Sequence, residues 1–142
     1  MKIKFIAIIG ALTLLTSVGT TTLNAQSTQK SKPFLIQGKL PHLTMMIKTL
    51  WNDKDLALTP IQKEKLLKIR KRTITDVKSL SKQINNLETR IVKESNHGIK
   101  PKSLKPDVEK LAHLRAKATM IHLKCIYDTR SILSKDQLYI LE

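Results

Sequence analysis

The side chains of this sequence that could do chemistry are concentrated on one predicted helix near the carboxyl end. His122 and Cys125 are three positions apart, which places both on one helix face, and His113 lies nine residues earlier. Imidazole nitrogens and thiolates are ligands that zinc and related transition metals prefer. These residues could share a metal ion if a second copy of the chain supplied further ligands. Cys125 also fits an apolar stripe, however, in which a cysteine is ordinarily a small packing residue.

Catalytic chemistry has little support in the sequence. Gly38 and Gly98 are the only glycines after residue 25, so no glycine-rich phosphate loop can form. The acidic residues are scattered, and no nucleophile, base and orienting group stand at a spacing that predicts a catalytic set. We therefore predict a protein that is not an enzyme, with no catalytic residues and no cofactor.

The first 25 residues have the pattern of an export signal. Lys2 and Lys4 precede an apolar run from residue 3 to residue 18, and Leu-Asn-Ala at positions 23–25 suits cleavage. Polar and small residues interrupt the run, which favours cleavage over a retained membrane anchor. Because Cys125 is the only cysteine, none stands at the cleavage site to carry a lipid. We predict a cleaved signal peptide over 1–25 and no stable membrane insertion.

The chain is strongly basic. The whole sequence carries a formal net charge of +15, and cleavage after residue 25 would remove Lys2, Lys4 and no acid, leaving +13. Such a charge attracts anionic partners in a salt-dependent way. Export argues against nucleic acid, so anionic membrane surfaces, acidic proteins and unfolded acidic clients are the candidate partners. A single cysteine cannot form an intramolecular disulfide, so stability must come from helix packing or a partner subunit.

Hydrophobic periodicity predicts an all-α chain of long amphipathic helices. Residues 26–37 are polar and basic and are interpreted as a flexible tail, followed by a single helical domain over 38–142. We predict a short helix over about 40–54 and a long one over 60–95, which ends at Asn96-His97-Gly98. Residues 99–105 are predicted to be a linker, and a third helix is expected to begin at or shortly before Pro106.

Two heptad stripes predict how the long helices pack. Both advance by alternating steps of three and four, the spacing of a helix–helix seam. They consist of Val77, Leu80, Ile84, Leu87 and Ile91, and of Leu111, Leu114, Ala118, Ile121 and Cys125. A chain of this length cannot build a thick core, so we expect a thin, hairpin-like arrangement completed by dimerisation.

A short motif occurs twice and predicts two helix starts. Each copy is a leucine, a hydroxyl residue, two variable positions and a glutamine, at residues 58–62 and 133–137. The hydroxyl can cap the backbone N–H three residues on, while the glutamine reaches back to the N–H of the cap. The motif residues are Leu58, Thr59, Gln62, Leu133, Ser134 and Gln137.

With its signal peptide, basic charge and paired motifs, the chain resembles the CpxP/Spy family of periplasmic proteins, which is defined by two L-T-x-x-Q motifs. Residues 58–62 match the first motif fully, and residues 133–137 match the second with serine in place of threonine. The resemblance covers about 38–142. It implies a periplasmic location and a cradle-shaped antiparallel homodimer of bent helices. A helix that relatives carry after the second motif is shortened here to residues 138–142.

The resemblance also implies a function, namely ATP-independent chaperone (holdase) activity on unfolded envelope proteins. Two alternatives stay open: an adaptor that inhibits the periplasmic domain of an envelope-stress sensor kinase, and a sensor of zinc, nickel or cobalt. Basic and flexible apolar side chains are the residues expected to bind clients. Those singled out are Met45, Met46, Lys65, Lys68, Arg70, Lys71 and Arg72.

Overall fold

The computed structural model describes residues 32–36 and 38–141, and within these ranges the chain is helical without any strand. Four helices follow one another: α1 (Leu43–Thr49), α2 (Pro60–Asn96), α3 (Pro101–Arg130) and α4 (Lys135–Tyr139). The predicted all-α fold class is therefore confirmed. The predicted signal peptide (1–25) and residues 26–31 and 37 of the predicted tail lie outside the described residues. None of the described helices is long and apolar enough to cross a membrane.

The boundaries of α2 are those that its end signals dictate. Thr59 caps the helix and Pro60 occupies its first position, where the missing N–H costs nothing. Gly98 ends it in the left-handed region, at φ 77°, and the N–H of Ile99 bonds to the carbonyl of Glu94 at 3.2 Å. This is a glycine-terminated helix end. At 37 residues α2 is about 55 Å long.

The start of α3 corrects the prediction. The helix begins at Pro101, so the predicted linker over 99–105 shrinks to the turn between α2 and α3. Pro106 lies inside the helix instead of starting it. Its ring nitrogen cannot bond to the carbonyl of Lys102, but both residues are exposed, so water can satisfy that carbonyl. The first helix is also shorter than predicted, and Pro41 precedes it.

Helices α2 and α3 form an antiparallel hairpin. Successive contacts run toward the start of α2 and the end of α3: Arg90 pairs with Asp107, Glu88 with Arg115, and Arg72 with Asp128 at 2.5 Å. The predicted stripes meet in the hairpin core, which consists of Leu80, Ile84, Leu87, Leu114 and Ala118. The predicted packing of the two long helices is thus confirmed.

A second core closes the open end of the hairpin. We call it the basal core; its buried members are Ile47, Leu56, Leu58, Leu66, Leu133 and Leu141. It joins α1, the start of α2 and the segment around α4. Leu133 precedes the cap Ser134 and Leu138 is the fourth helical residue after it, the spacing of a hydrophobic staple, and Leu138 packs against the basal core, which includes Leu133. The chain therefore has two apolar clusters at different heights of one hairpin.

Residues 32–36, part of the predicted tail, lie against α3; we call them the strap. The backbone N–H of Leu35 donates to Thr119 Oγ1 at 2.8 Å, and Arg115 donates to the carbonyl of Lys32 at 2.9 Å. Phe34 is partly buried against the hairpin core.

Candidate functional site

The two repeated motifs meet in space. Both form complete capping boxes, as predicted: Thr59 and Ser134 accept from the backbone N–H of Gln62 and Gln137, whose side chains accept from the cap N–H in return. In addition, Gln62 Nε2 donates to Gln137 Oε1 at 2.8 Å, and Gln137 Nε2 lies 3.2 Å from Gln62 Oε1. We call this amide pair the glutamine clasp.

The second amide proton of each glutamine in the clasp is donated to a backbone carbonyl just before the opposite motif. Gln62 Nε2 donates to the carbonyl of Ile132 at 3.0 Å, and Gln137 Nε2 donates to the carbonyl of Leu56 at 2.8 Å. Each glutamine thus caps its own helix and fastens the chain before the other one. Next to Leu56, Ala57 adopts a positive φ of 42°, a conformation that costs an alanine about 1 kcal/mol. The two motifs therefore join the chain at the end of the hairpin where α2 begins and α3 ends.

A groove opens on the hairpin between the two cores. This central groove has a volume of about 520 Å³ and is bordered by the strap, α1, α2 and α3. Its apolar lining consists of Phe34, Leu43, Met45, Ile74, Val77 and Ile126. A smaller basal groove of about 310 Å³ adjoins it, sharing Thr44 and Arg70, and is lined further by Ile47, Lys48, Trp51, Leu66 and Leu67.

The grooves combine exposed apolar side chains with positive charge. Leu67, Ile74 and Met45 are 55 %, 50 % and 49 % exposed, although all are large hydrophobic residues. Arg70, Lys78 and Lys48 line the same grooves, and no aspartate or glutamate is among the described lining residues. A surface of this kind attracts chains that carry apolar groups beside carboxylates.

Only some of the predicted client-binding residues lie at the grooves. Met45 and Arg70 line the central groove, and Met46 next to Met45 is also exposed. Two of the basic residues are engaged elsewhere: Lys68 forms an ion pair with Glu64 at 2.6 Å, and Arg72 binds Asp128 across the hairpin.

The remaining predicted cations, Lys65 and Lys71, are exposed on α2 but line neither groove. Ile74 and Lys78 do line the central groove, but the sequence analysis did not single them out. The signal was present, because Leu67, Ile74 and Ser81 recur every seven residues on α2 beside the predicted core stripe.

The predicted metal ligands are not brought together. His122 and Cys125 are buried and line the central groove, but His113 is exposed and lines neither groove. Instead, the ring of His42 stacks on that of His122, with centroids 4.7 Å apart and planes 19° from parallel. Across the described residues, no three histidine, cysteine or acidic side chains are grouped so that they could hold a metal ion.

His122 occupies an unusual environment. It is 6 % exposed, and its Nδ1 has no hydrogen-bond partner among the described residues. Burial lowers the pKa of His122 below its ordinary value of 6.5, and the adjacent His42 lowers it further, while a hydrogen bond with the backbone of Pro41 acts in the opposite direction. The neutral imidazole is therefore the favoured form in this position.

Comparison with known proteins adds no neighbour to this description. No protein-family description, no curated protein and no solved structure matches the chain. Function is consequently inferred from the geometry of the grooves and the clasp.

Proposed function

We propose that the chain is an exported, periplasmic holdase that captures unfolded envelope proteins without ATP. The observation that carries the proposal is the pair of adjoining grooves. They are lined by half-exposed Leu67, Ile74 and Met45 together with cations, and no carboxylate is among the described lining residues. The paired motifs, the predicted export signal and the net charge support the same function.

Magnitudes favour reversible capture. Covering three half-exposed apolar side chains contributes on the order of 3 kcal/mol, which is less than the cost of associating two molecules. Binding then needs long-range attraction from the basic surface and several contacts along one client. A client that folds withdraws its apolar residues and is released, so no nucleotide-driven step is required.

A homodimer would enlarge this surface. A second stripe on α3, formed by His113, Ala116, Met120, Leu123 and Tyr127, repeats by three and four and faces away from the hairpin core. Met120 and Tyr127 are 63 % and 73 % exposed. We propose that two copies pair antiparallel through this stripe into a cradle. Sedimentation equilibrium of the wild type and Tyr127→Lys tests the pairing; an unchanged mass would overturn it.

The function is tested by mixing residues 26–142 with a chemically denatured acidic client and following light scattering without ATP. Suppression of aggregation near one chain per client, weakened by salt, is the expected result. No suppression at any ratio would sink the proposal. Saturable one-to-one binding to a single folded sensor domain, without suppression, would instead support the adaptor alternative, and a zinc or nickel titration addresses the metal alternative.

A further inference from the structure

The strap, α1 and α3 meet at a stack of three rings. Phe34 and His42 both contact the ring of His122, at centroid distances of 4.9 Å and 4.7 Å. All three line the central groove. The stack therefore joins two short elements, the strap and α1, to the long helix that carries one wall of the groove.

The surroundings of His122 disfavour a positive charge. On the approach to α1 it faces His42, and from α2 the cations Arg70 and Lys78 line the same groove. On α3 its neighbour in the groove is Cys125, a buried and free thiol.

The strap has no acidic residue to act as a counterion, and two carboxylates that α2 and α3 carry are already paired with cations. Lys32 and Arg115 add positive charge where the strap crosses α3. Glu88 is ion-paired with Arg115, and Asp128 binds Arg72 and Lys124. No aspartate or glutamate is among the described residues that line the central groove, so a second proton on His122 would enter a buried site without a carboxylate from that lining.

We propose that Phe34, His42 and His122 form an acid-sensitive latch: protonation of His122 releases the strap and α1 from α3 and widens the central groove. This deepens the proposed function, because the latch regulates access to the surface assigned to clients, and it rests on that function only for its purpose.

The sign follows from proton linkage. Burial keeps the pKa of His122 below 6.5 in the latched state, so the released state takes up the proton first as the pH falls. The latched state therefore has its full stability above about pH 6.5 and progressively loses it as the pH falls toward the lowered pKa of His122.

Hydrogen exchange followed by mass spectrometry, corrected for intrinsic pH dependence, tests the latch without any client. In the wild type, peptides covering 32–36 and 43–49 should open faster at pH 5.5 than at pH 7.5, by up to about tenfold, which is the most that uptake of one proton in the released state gives over this pH range. Peptides covering the hairpin core should change little. In His122→Phe, which keeps the stack and removes the titration, the pH effect should fall below about twofold.

The matched control is His97→Gln, which removes an exposed histidine at the end of α2, outside both grooves, and should respond like the wild type. His122→Tyr, which also keeps a ring in the stack, replaces His122→Phe if circular dichroism shows that the latter is not folded. Binding of anilinonaphthalene sulfonate, an apolar anion, should rise at pH 5.5 in the wild type and the control but not in His122→Phe. A wild type with no pH response, or a response in His122→Phe as large as in the wild type, would overturn the latch; failure of aggregation suppression at pH 7.5 would overturn only the holdase.

Discussion

Gln62 and Gln137 pair through their side-chain amides although they are 75 positions apart in the sequence. Each amide also serves its own helix start and one carbonyl of the opposite motif. The two motifs are therefore a single structural unit. That unit fixes the start of α2 beside α4 and closes the basal core, and with it one end of the groove.

The substitution Gln62→Glu distinguishes the stability that the clasp contributes from the stability that the helix cap contributes. A glutamate at this position still accepts from the N–H of Thr59 and suits a helix start, but it cannot donate to Ile132 or Gln137. If the motif only started a helix, the substitution would be neutral or stabilising. We expect instead a loss of about 2 kcal/mol in the free energy of unfolding, because two partly buried acceptors lose their donor. Urea unfolding followed by circular dichroism measures it.

Thr59→Ala is the matched comparison for that experiment. It removes the cap bond from Thr59 to Gln62 and leaves the contacts between the motifs in place, so it should cost only about 1 kcal/mol. Equal losses in Thr59→Ala and Gln62→Ala, with Gln62→Glu unchanged, would show that the clasp adds nothing beyond the two caps.

Sequence patterns predicted the parts of this fold that depend on local signals. Thr59 and Ser134 start helices as their capping boxes require, and Gly98 ends α2. The heptad stripes predicted core positions correctly, since Ile84 and Leu114 are buried where the two long helices meet. Period and caps are properties of neighbouring residues, so a single sequence is enough to predict them.

Contacts between distant segments could not be predicted in the same way. A glutamine at the third position of a helix is fully explained by its own cap, so nothing local indicates that Gln62 also meets Gln137. His42 stands outside every helical stripe, yet it stacks on His122 because the chain folds back before α1. The start of α3 was missed because Pro101 and Pro106 both suit a first helical position; the helix begins at the earlier one, and Leu104 near its start is buried.

Reversal of charge in the central groove should weaken client capture. Lys78→Glu places a carboxylate where the groove has only cations, and should raise the concentration needed for half-suppression of aggregation about fivefold at low salt. Lys117→Glu makes the same change in net charge at an exposed position of α3 outside both grooves, and should leave suppression within about twofold. Equal effects of the two variants would mean that net charge alone attracts the client.

Removal of apolar surface from the groove should act in a salt-independent way. Ile74→Ser shortens a half-exposed side chain of the central groove, whereas Val92→Ser shortens a similarly exposed one of α2 that lines neither groove. Both should cost little stability. Only Ile74→Ser should reduce suppression, about fivefold at both low and high salt, because a contribution near 1 kcal/mol is lost. An effect of Val92→Ser as large as that of Ile74→Ser would remove the groove from the proposal.

Asp128 should make the hairpin sensitive to acid. Burial acts to raise the pKa of Asp128, but hydrogen bonds and charge from Lys124 and Arg72 outweigh it, so the pKa lies below 3.8. The unfolded chain therefore takes up the proton first, and the stabilisation is present above pH 3.8 and lost as the pH falls through the lowered value. Asp128→Asn should lower the free energy of unfolding by about 1 kcal/mol at neutral pH, a modest loss because both cations are largely exposed. Below about pH 4, the free energy of unfolding of this variant should depend less on pH than that of the wild type. An unchanged pH profile would contradict this role.

Ala57 should be a site where glycine stabilises the protein. Its φ of 42° strains an alanine, and glycine adopts that conformation freely, so Ala57→Gly should raise the free energy of unfolding by up to about 1 kcal/mol. Ala112→Gly, at an exposed position inside α3, should lower it by about 1 kcal/mol, because there glycine only adds backbone entropy to the unfolded chain. Thermal and urea unfolding of the two variants should thus shift in opposite directions. If Ala57→Gly were destabilising to the same extent as Ala112→Gly, the strained turn beside Leu56 would not be a feature of the protein in solution.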